Sequence, residues 1–297
     1  MSIISKLKKG SKDPKAAFTY LMQSTKNKFV TREYIAQSNN RSGSENGLYL
    51  KAVQNATKDY KSFSNFKRSL NYREILEHVS KDQGQVYLDN IIQNSPDLLG
   101  NINIFKENDA VGNPIVYEYK GIGLISPTSL RYLKVASDLK IIFGEQIGDK
   151  IVEIGCGYGG QALINDRVFK IKQYKLIDLP PVLTLISKYL ESYILNCAYE
   201  TSTLNQISTA DKYDLAISNY AFSELPGPLQ RMYIEKILKN CKKGYLTMNS
   251  GKSDTKTDHL GRMTIKQLEK LLPPFEILEE KPLTNNENYI IVWGRNY

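Results

Sequence analysis

Val152-Glu153-Ile154-Gly155-Cys156-Gly157-Tyr158-Gly159-Gly160 is the stretch on which the reading of this chain turns. Lys150 to Ile154 has the length and apolar character of a buried strand, and Gly160 to Phe169 reads as a helix. The glycines therefore stand at a strand-to-helix turn. Gly155, Gly157 and Gly160 fit the GxGxxG spacing, in which glycine permits the tight turn, lets the backbone approach a ligand and allows close helix packing. Taken alone, such a turn is shared by several nucleotide sites, nicotinamide and flavin among them.

Working outward, strand and helix alternate. Gln173 to Ile177 reads as a strand, Val182 to Leu195 as a helix, Tyr213 to Ser218 as a strand, Pro228 to Leu238 as a helix and Gly244 to Met248 as a strand. A helix over Thr264 to Leu272 precedes two last strands, Phe275 to Glu279 and Tyr289 to Trp293, joined by Asn285-Asn286-Glu287-Asn288. This interval predicts an α/β, Rossmann-like domain with a mostly parallel seven-stranded sheet, covered on both faces and ending in an antiparallel hairpin. Dehydrogenase-type sheets are all parallel; a reversed final strand is the arrangement of class I methyltransferases.

Upstream of the turn, Ser126-Pro127-Thr128-Ser129 caps a helix over Leu130 to Phe143, which Gly144 closes. Residues 93 to 125 form a connector with a strand-like Ile115 to Tyr119. Before it the chain is mainly helical: Asp13-Pro14 opens a helix, Thr31 to Ala36 and Gly47 to Arg68 continue in kind around a loop at 38–44, and Tyr72 to Val79 and Val86 to Ile92 present apolar faces. The expected division is a helical region over 1–125 and a nucleotide-binding domain over 126–297.

Composition narrows the classes. The 297 residues are 41% hydrophobic, enough for a substantial core. No run of about eighteen uncharged apolar residues suggests a membrane span, and Met1 to Lys9 lacks the apolar stretch of a signal peptide, so a cytoplasmic location is expected. Cys156, Cys197 and Cys241 are scattered without zinc-site spacing and read as reduced, packed thiols. The net charge of +9 sits entirely in residues 1–80, with 15 Lys/Arg against six acids. Such a front could meet a phosphorylated substrate, nucleic acid or an anionic surface, or serve solubility.

Three features sharpen the glycine turn. Glu153 lies two residues before Gly155, where a dinucleotide fold keeps an apolar residue; a charge there needs a partner. Asp178 ends the second strand, 23 positions after Gly155, where an acid can accept both ribose hydroxyls. Ser218-Asn219-Tyr220-Ala221-Phe222-Ser223-Glu224-Leu225-Pro226 follows a strand whose carboxyl end belongs to the ligand crevice. Together they point to S-adenosyl-L-methionine as cofactor.

Val152 to Gln161, Tyr174 to Leu190, Ser218 to Pro226 and Ile125-Ser126-Pro127-Thr128-Ser129-Leu130-Arg131-Tyr132 resemble the sugar O-methyltransferases of bacterial and some viral glycan gene clusters. The resemblance spans roughly residues 85 to 295. Asp178-Leu179-Pro180 is also similar to plant-type small-molecule O-methyltransferases. The resemblance implies methyl transfer to a hydroxyl of a sugar or nucleotide-sugar, in glycan biosynthesis, with the cofactor held by Glu153, Gly155, Gly157, Tyr158, Gly159, Gln161, Asp178, Leu179, Asn219, Tyr220, Ser126 and Arg131.

Displacement at the methyl carbon requires alignment and a base for the hydroxyl proton. Of two histidines, His259 follows the fifth strand, where plant-type enzymes carry a catalytic histidine, and has Asp258 beside it. Asp109 and Glu224 are the carboxylate candidates; His78 reads as structural. No dense acidic cluster calls for a metal, and none is expected. Tyr158 and Tyr220 lie nearest the site as platforms for a sugar ring, with core packing the commoner use of a tyrosine. A phenolic acceptor is the near alternative. RNA methylation is disfavoured by Ser218-Asn219-Tyr220-Ala221 in place of an Asp/Asn-Pro-Pro-Tyr element, so no nucleic acid is expected. A non-catalytic binding protein is disfavoured by the intact glycines, Glu153 and Asp178. The basic front is expected to serve as a lid, a substrate surface or a homodimer contact.

Overall fold

The computed structural model describes residues 47–252 and 260–295. The helix start at Asp13, the segment at Thr31, the loop at 38–44 and His259 lie outside them.

The sheet has seven strands: β3 (Lys150–Ile154), β4 (Gln173–Ile177), β5 (Ala198–Ser202), β6 (Tyr213–Asn219), β7 (Cys241–Met248), β8 (Glu276–Glu279) and β9 (Tyr289–Trp293). Its order is β5-β4-β3-β6-β7-β9-β8. All neighbours pair in parallel except β9, which runs antiparallel to both β7 and β8. The final hairpin thus inserts its second strand beside β7, leaving β8 at the edge. The order reverses between β3 and β6, so the crevice for a ligand opens at the carboxyl ends of β3, β4 and β6.

Both sheet faces are apolar because alternate side chains point opposite ways. Ile151, Leu176, Leu215, Ile217, Tyr245 and Val292 enter one core, and Val152, Ile154, Ile177, Ala216, Leu246 and Trp293 the other. A smaller sheet pairs β1 (Tyr117–Tyr119) with β2 (Gly123–Ile125). The first core is covered by α1 (Gly47–Lys58), α2 (Lys81–Asn94), α3 (Pro127–Phe143), α4 (Gly160–Val168) and α5 (Pro180–Leu190). The second is covered by α6 (Gly227–Lys236) and α7 (Ile265–Glu269). Val53, Tyr72, Leu88 and Ile91 from before residue 126 share the first core with α3 and α5.

The helical face expected over Tyr72 to Val79 is a helix only to Arg73, and the helix expected to reach Leu195 ends at Leu190; two further differences from the sequence reading have local reasons. β5, Ala-Tyr-Glu-Thr-Ser, is absent from it: an edge strand with Ala198 and Glu200 exposed has no apolar alternation, and only its pairing with β4 makes it a strand. The expected helix over Gly47 to Arg68 breaks after Lys58, because the Asp59 side chain caps a new turn by accepting from the Ser62 backbone N–H at 2.8 Å.

Candidate active site

The turn after β3 is built as its glycines require. Gly155 and Gly157 have φ of 72° and 57°, a region that L side chains rarely adopt. A Cβ on Gly155 would lie 2.0 Å from that of Ala221, so the turn packs directly on the segment after β6. Asp178 joins it from β4: one carboxylate oxygen accepts from Cys156 N and the other from Leu179 N, each at 2.7 Å. Burial pushes this carboxyl up to about 6, against the backbone N–H groups of Leu179, Cys156 and Gly157, which stabilise its charge. The carboxylate retains acceptor capacity for a ligand hydroxyl.

Glu153 faces the first core. It is buried, and its carboxyl accepts from the Tyr174 hydroxyl at 2.7 Å. Burial raises its pKa to about 8, so near neutrality it is largely protonated, and the partner its charge called for is a phenol. Tyr174 in turn accepts from Asn165, and Gln161 donates to Asn165 and to the Tyr132 carbonyl, forming a buried polar chain under the turn. Gln161 reaches the crevice through its oxygen, 3.5 Å from the Asn219 side-chain nitrogen.

At the carboxyl ends of β6 and β7 this crevice narrows to a cavity of about 20 Å³ with Arg131, Tyr132, Asn219, Tyr220, Thr247 and Glu280 in its walls. Among the described residues Asn219 Oδ1 is buried there without a hydrogen-bond partner, a site suited to a donor. The Arg131 guanidinium donates to the Leu76 carbonyl at 3.3 Å and lies over the Tyr132 ring, 5.4 Å from its centroid, with further N–H donors on the same group. Tyr220 is held at φ 67°, rare for an aromatic residue, by its own N–H on Thr247 O at 2.9 Å and its hydroxyl on Glu280. Strain of this kind gathers at functional positions.

The other expected residues lie elsewhere. Tyr158 is fully buried behind the turn, with ring centroids 5.6 Å from Phe66 and 4.9 Å from Tyr189, and Gly159 packs on Ile186 and Leu190. Leu179 is half-buried at the head of α5. Ser126 caps α3, and Asp109 holds that cap: its oxygens accept from Ser126 N at 2.6 Å, Ser126 Oγ at 2.7 Å and Ser129 Oγ at 2.6 Å. Glu224 is half-buried after β6, accepts from Asn249 at 3.1 Å, and is raised above the ordinary carboxylate range by burial. Cys156 is a packed thiol that contacts the Glu153 carbonyl, with its pKa pushed up by burial.

No family model matches this chain, and no curated protein matches it. Solved structures do. A magnesium protoporphyrin IX methyltransferase from Synechocystis, with bound SAH, is 12% identical, with 55% of this chain and 80% of that one covered at a TM-score of 0.40. A SAM-dependent methyltransferase from Aquifex aeolicus is 14% identical, with 55% and 95% covered at 0.38.

Tyr87, Tyr132, Thr247 and Glu280 line the crevice without having been singled out in the sequence. Of these, Glu280 carries a signal in the sequence, an acid directly after a strand. Its burial arises from Thr284 and Asn288, which donate to one oxygen while Tyr220 donates to the other. Among the described residues no group of three or more His, Cys, Asp and Glu is arranged to hold a metal ion, and no helix is long and apolar enough to cross a membrane.

Proposed function

We propose that this chain is an S-adenosylmethionine-dependent O-methyltransferase acting on a hydroxyl of a sugar, free, nucleotide-linked or within a glycan precursor. The observation that carries the cofactor is the junction of the β3 glycine turn with Asp178, beside a crevice that holds an unpartnered acceptor, Asn219 Oδ1. The sugar rests on the resemblance of residues 85–295. In this reading residues 126–297 bind the cofactor, and residues 1–125 supply the lid, the acceptor surface or a dimer contact.

The residues fit the chemistry of such a ligand. Asp178 would accept from the ribose, Asn219 Oδ1 from the ammonium, and further Arg131 N–H donors would reach the carboxylate. Bound S-adenosylmethionine supplies a methyl group already activated on a sulfonium. The protein's own tasks are to align the acceptor oxygen, exclude water and receive the hydroxyl proton. Glu224 is the proposed base: burial brings its carboxyl nearer to neutral pH, where proton acceptance is most effective. His259 is the other candidate, and Asp109 the least suited, since three donors already occupy it.

Incubation with methyl-labelled cofactor and parallel panels of nucleotide-sugars and phenols tests the reading. Label is expected on a sugar oxygen. Label on phenols alone would move the acceptor to small aromatic metabolites, and label on neither would end the assignment.

A further inference from the structure

A second cleft, of about 390 Å³, lies between residues 67–80, the entry to β1 and the first turn of α3. Two buried polar atoms in its walls, Arg73 Nε and Glu77 Oε1, have no hydrogen-bond partner among the described residues. Thr128, in the first turn of α3, stands beside the Glu77 carboxyl in the same wall. A donor and an acceptor left unmade four residues apart are unusual, because folded proteins satisfy buried polar groups with few exceptions.

The charge of the cleft selects its ligand. Lys67 and Arg73 stand against Glu74 and Glu77, and the Lys67 ammonium is already engaged by the Asn108 carbonyl and the Tyr158 ring, 4.2 Å from its centroid. An anion would meet two carboxylates, and a cation would meet a guanidinium. A neutral hydroxyl suits both unmade bonds, since it donates to Glu77 Oε1 and accepts from Arg73 Nε–H. Leu70, Val79, Pro127 and Tyr117 add apolar surface for the C–H face of a ring. The cleft also neighbours the glycine turn: Leu76, one residue before Glu77, lies 3.1 Å from where a Cβ on Gly157 would stand, and its carbonyl receives the Arg131 guanidinium.

We infer that this cleft is the acceptor subsite, binding a neutral polyhydroxylated ring through a hydroxyl held between Glu77 and Arg73. The inference rests on the sugar-methylation reading and deepens it.

The test uses the full chain and its Arg73→Met and Glu77→Ala variants, with methyl α-glucoside, methyl α-galactoside and methyl α-rhamnoside as probes, titrated by saturation-transfer NMR. At least one glycoside is expected to bind the unaltered protein, with affinity reduced tenfold or more in either variant. Thermal melting of both variants separates binding from structure: a loss of more than about 3 °C, the shift typical of a lost kilocalorie-scale interaction in a domain of this size, assigns the residue to structure and overturns the inference. So does binding of none of the glycosides, equal binding by all three proteins, or displacement of the glycoside by millimolar inorganic phosphate. SAH is titrated separately. Its affinity is expected to stay within twofold across the three proteins, and its loss in step with the glycoside overturns the acceptor assignment. If SAH does not bind the parent at all, the methyl-transfer reading fails, while the glycoside titration still decides whether the cleft binds a polyol.

Discussion

Glu153 shows how one residue can be readable in position and unreadable in state. Its place before the glycine turn is plain in the sequence, but its neutrality depends on burial beside Tyr174, a residue of the neighbouring strand. A carboxyl raised from its unfolded value to about 8 binds a proton in the native state that the unfolded chain has released. Stability therefore falls as pH rises between about 5 and 8, by up to roughly 1.4 kcal/mol per pH unit, and levels off above that. Glu153→Gln keeps an acceptor for Tyr174 and removes the proton; urea unfolding is expected to give equal stability near pH 5 and a more stable variant at pH 8. Parallel pH curves for the two proteins would contradict the neutral state. Asp178 works the other way for binding. Hydroxyl donors favour its ionised form, so SAH affinity measured by calorimetry is expected to fall as pH drops through about 6. A flat profile from pH 7.5 to 5 would remove Asp178 from the ribose.

At the scale of elements, the start of α3 carries more of the fold than its sequence suggests. Asp109 holds Ser126 and Ser129, and Asn108 ties Ser129 to Tyr158 and Tyr189 while its carbonyl receives Lys67. Asp109→Ala would leave three donors short of an acceptor and is expected to cost about 2–3 kcal/mol of stability in denaturant unfolding. Asp109→Asn, which keeps one acceptor oxygen, is expected to lose less and to retain turnover; a folded Asn variant without turnover would instead make Asp109 the base. Ser126 as a cap was legible because Ser-Pro before an apolar run is a local signal. The strand before the glycine turn and the final hairpin were legible for the same reason. β5 and Glu280 were not: one is a strand by virtue of β4, and the other is buried by Thr284, Asn288 and Tyr220. No pattern within a few residues contains that information.

For the described fold as a whole, α1 and α2 share a core with the sheet, so the face that covers the glycine turn and the face that holds it are expected to unfold together. A ligand bound at the turn should therefore stabilise all of the described fold. Saturation with SAH at about a hundred times its dissociation constant is expected to add about 2.7 kcal/mol, read as a rise in melting temperature in a single transition. A rise confined to one of two transitions would separate the helical region from the sheet. Binding of SAH itself tests the account most directly. Calorimetry on the full chain is predicted to give a dissociation constant in the micromolar range or tighter, with the heat abolished by Asp178→Ala; no heat with the folded parent, or undiminished heat with the variant, would contradict it.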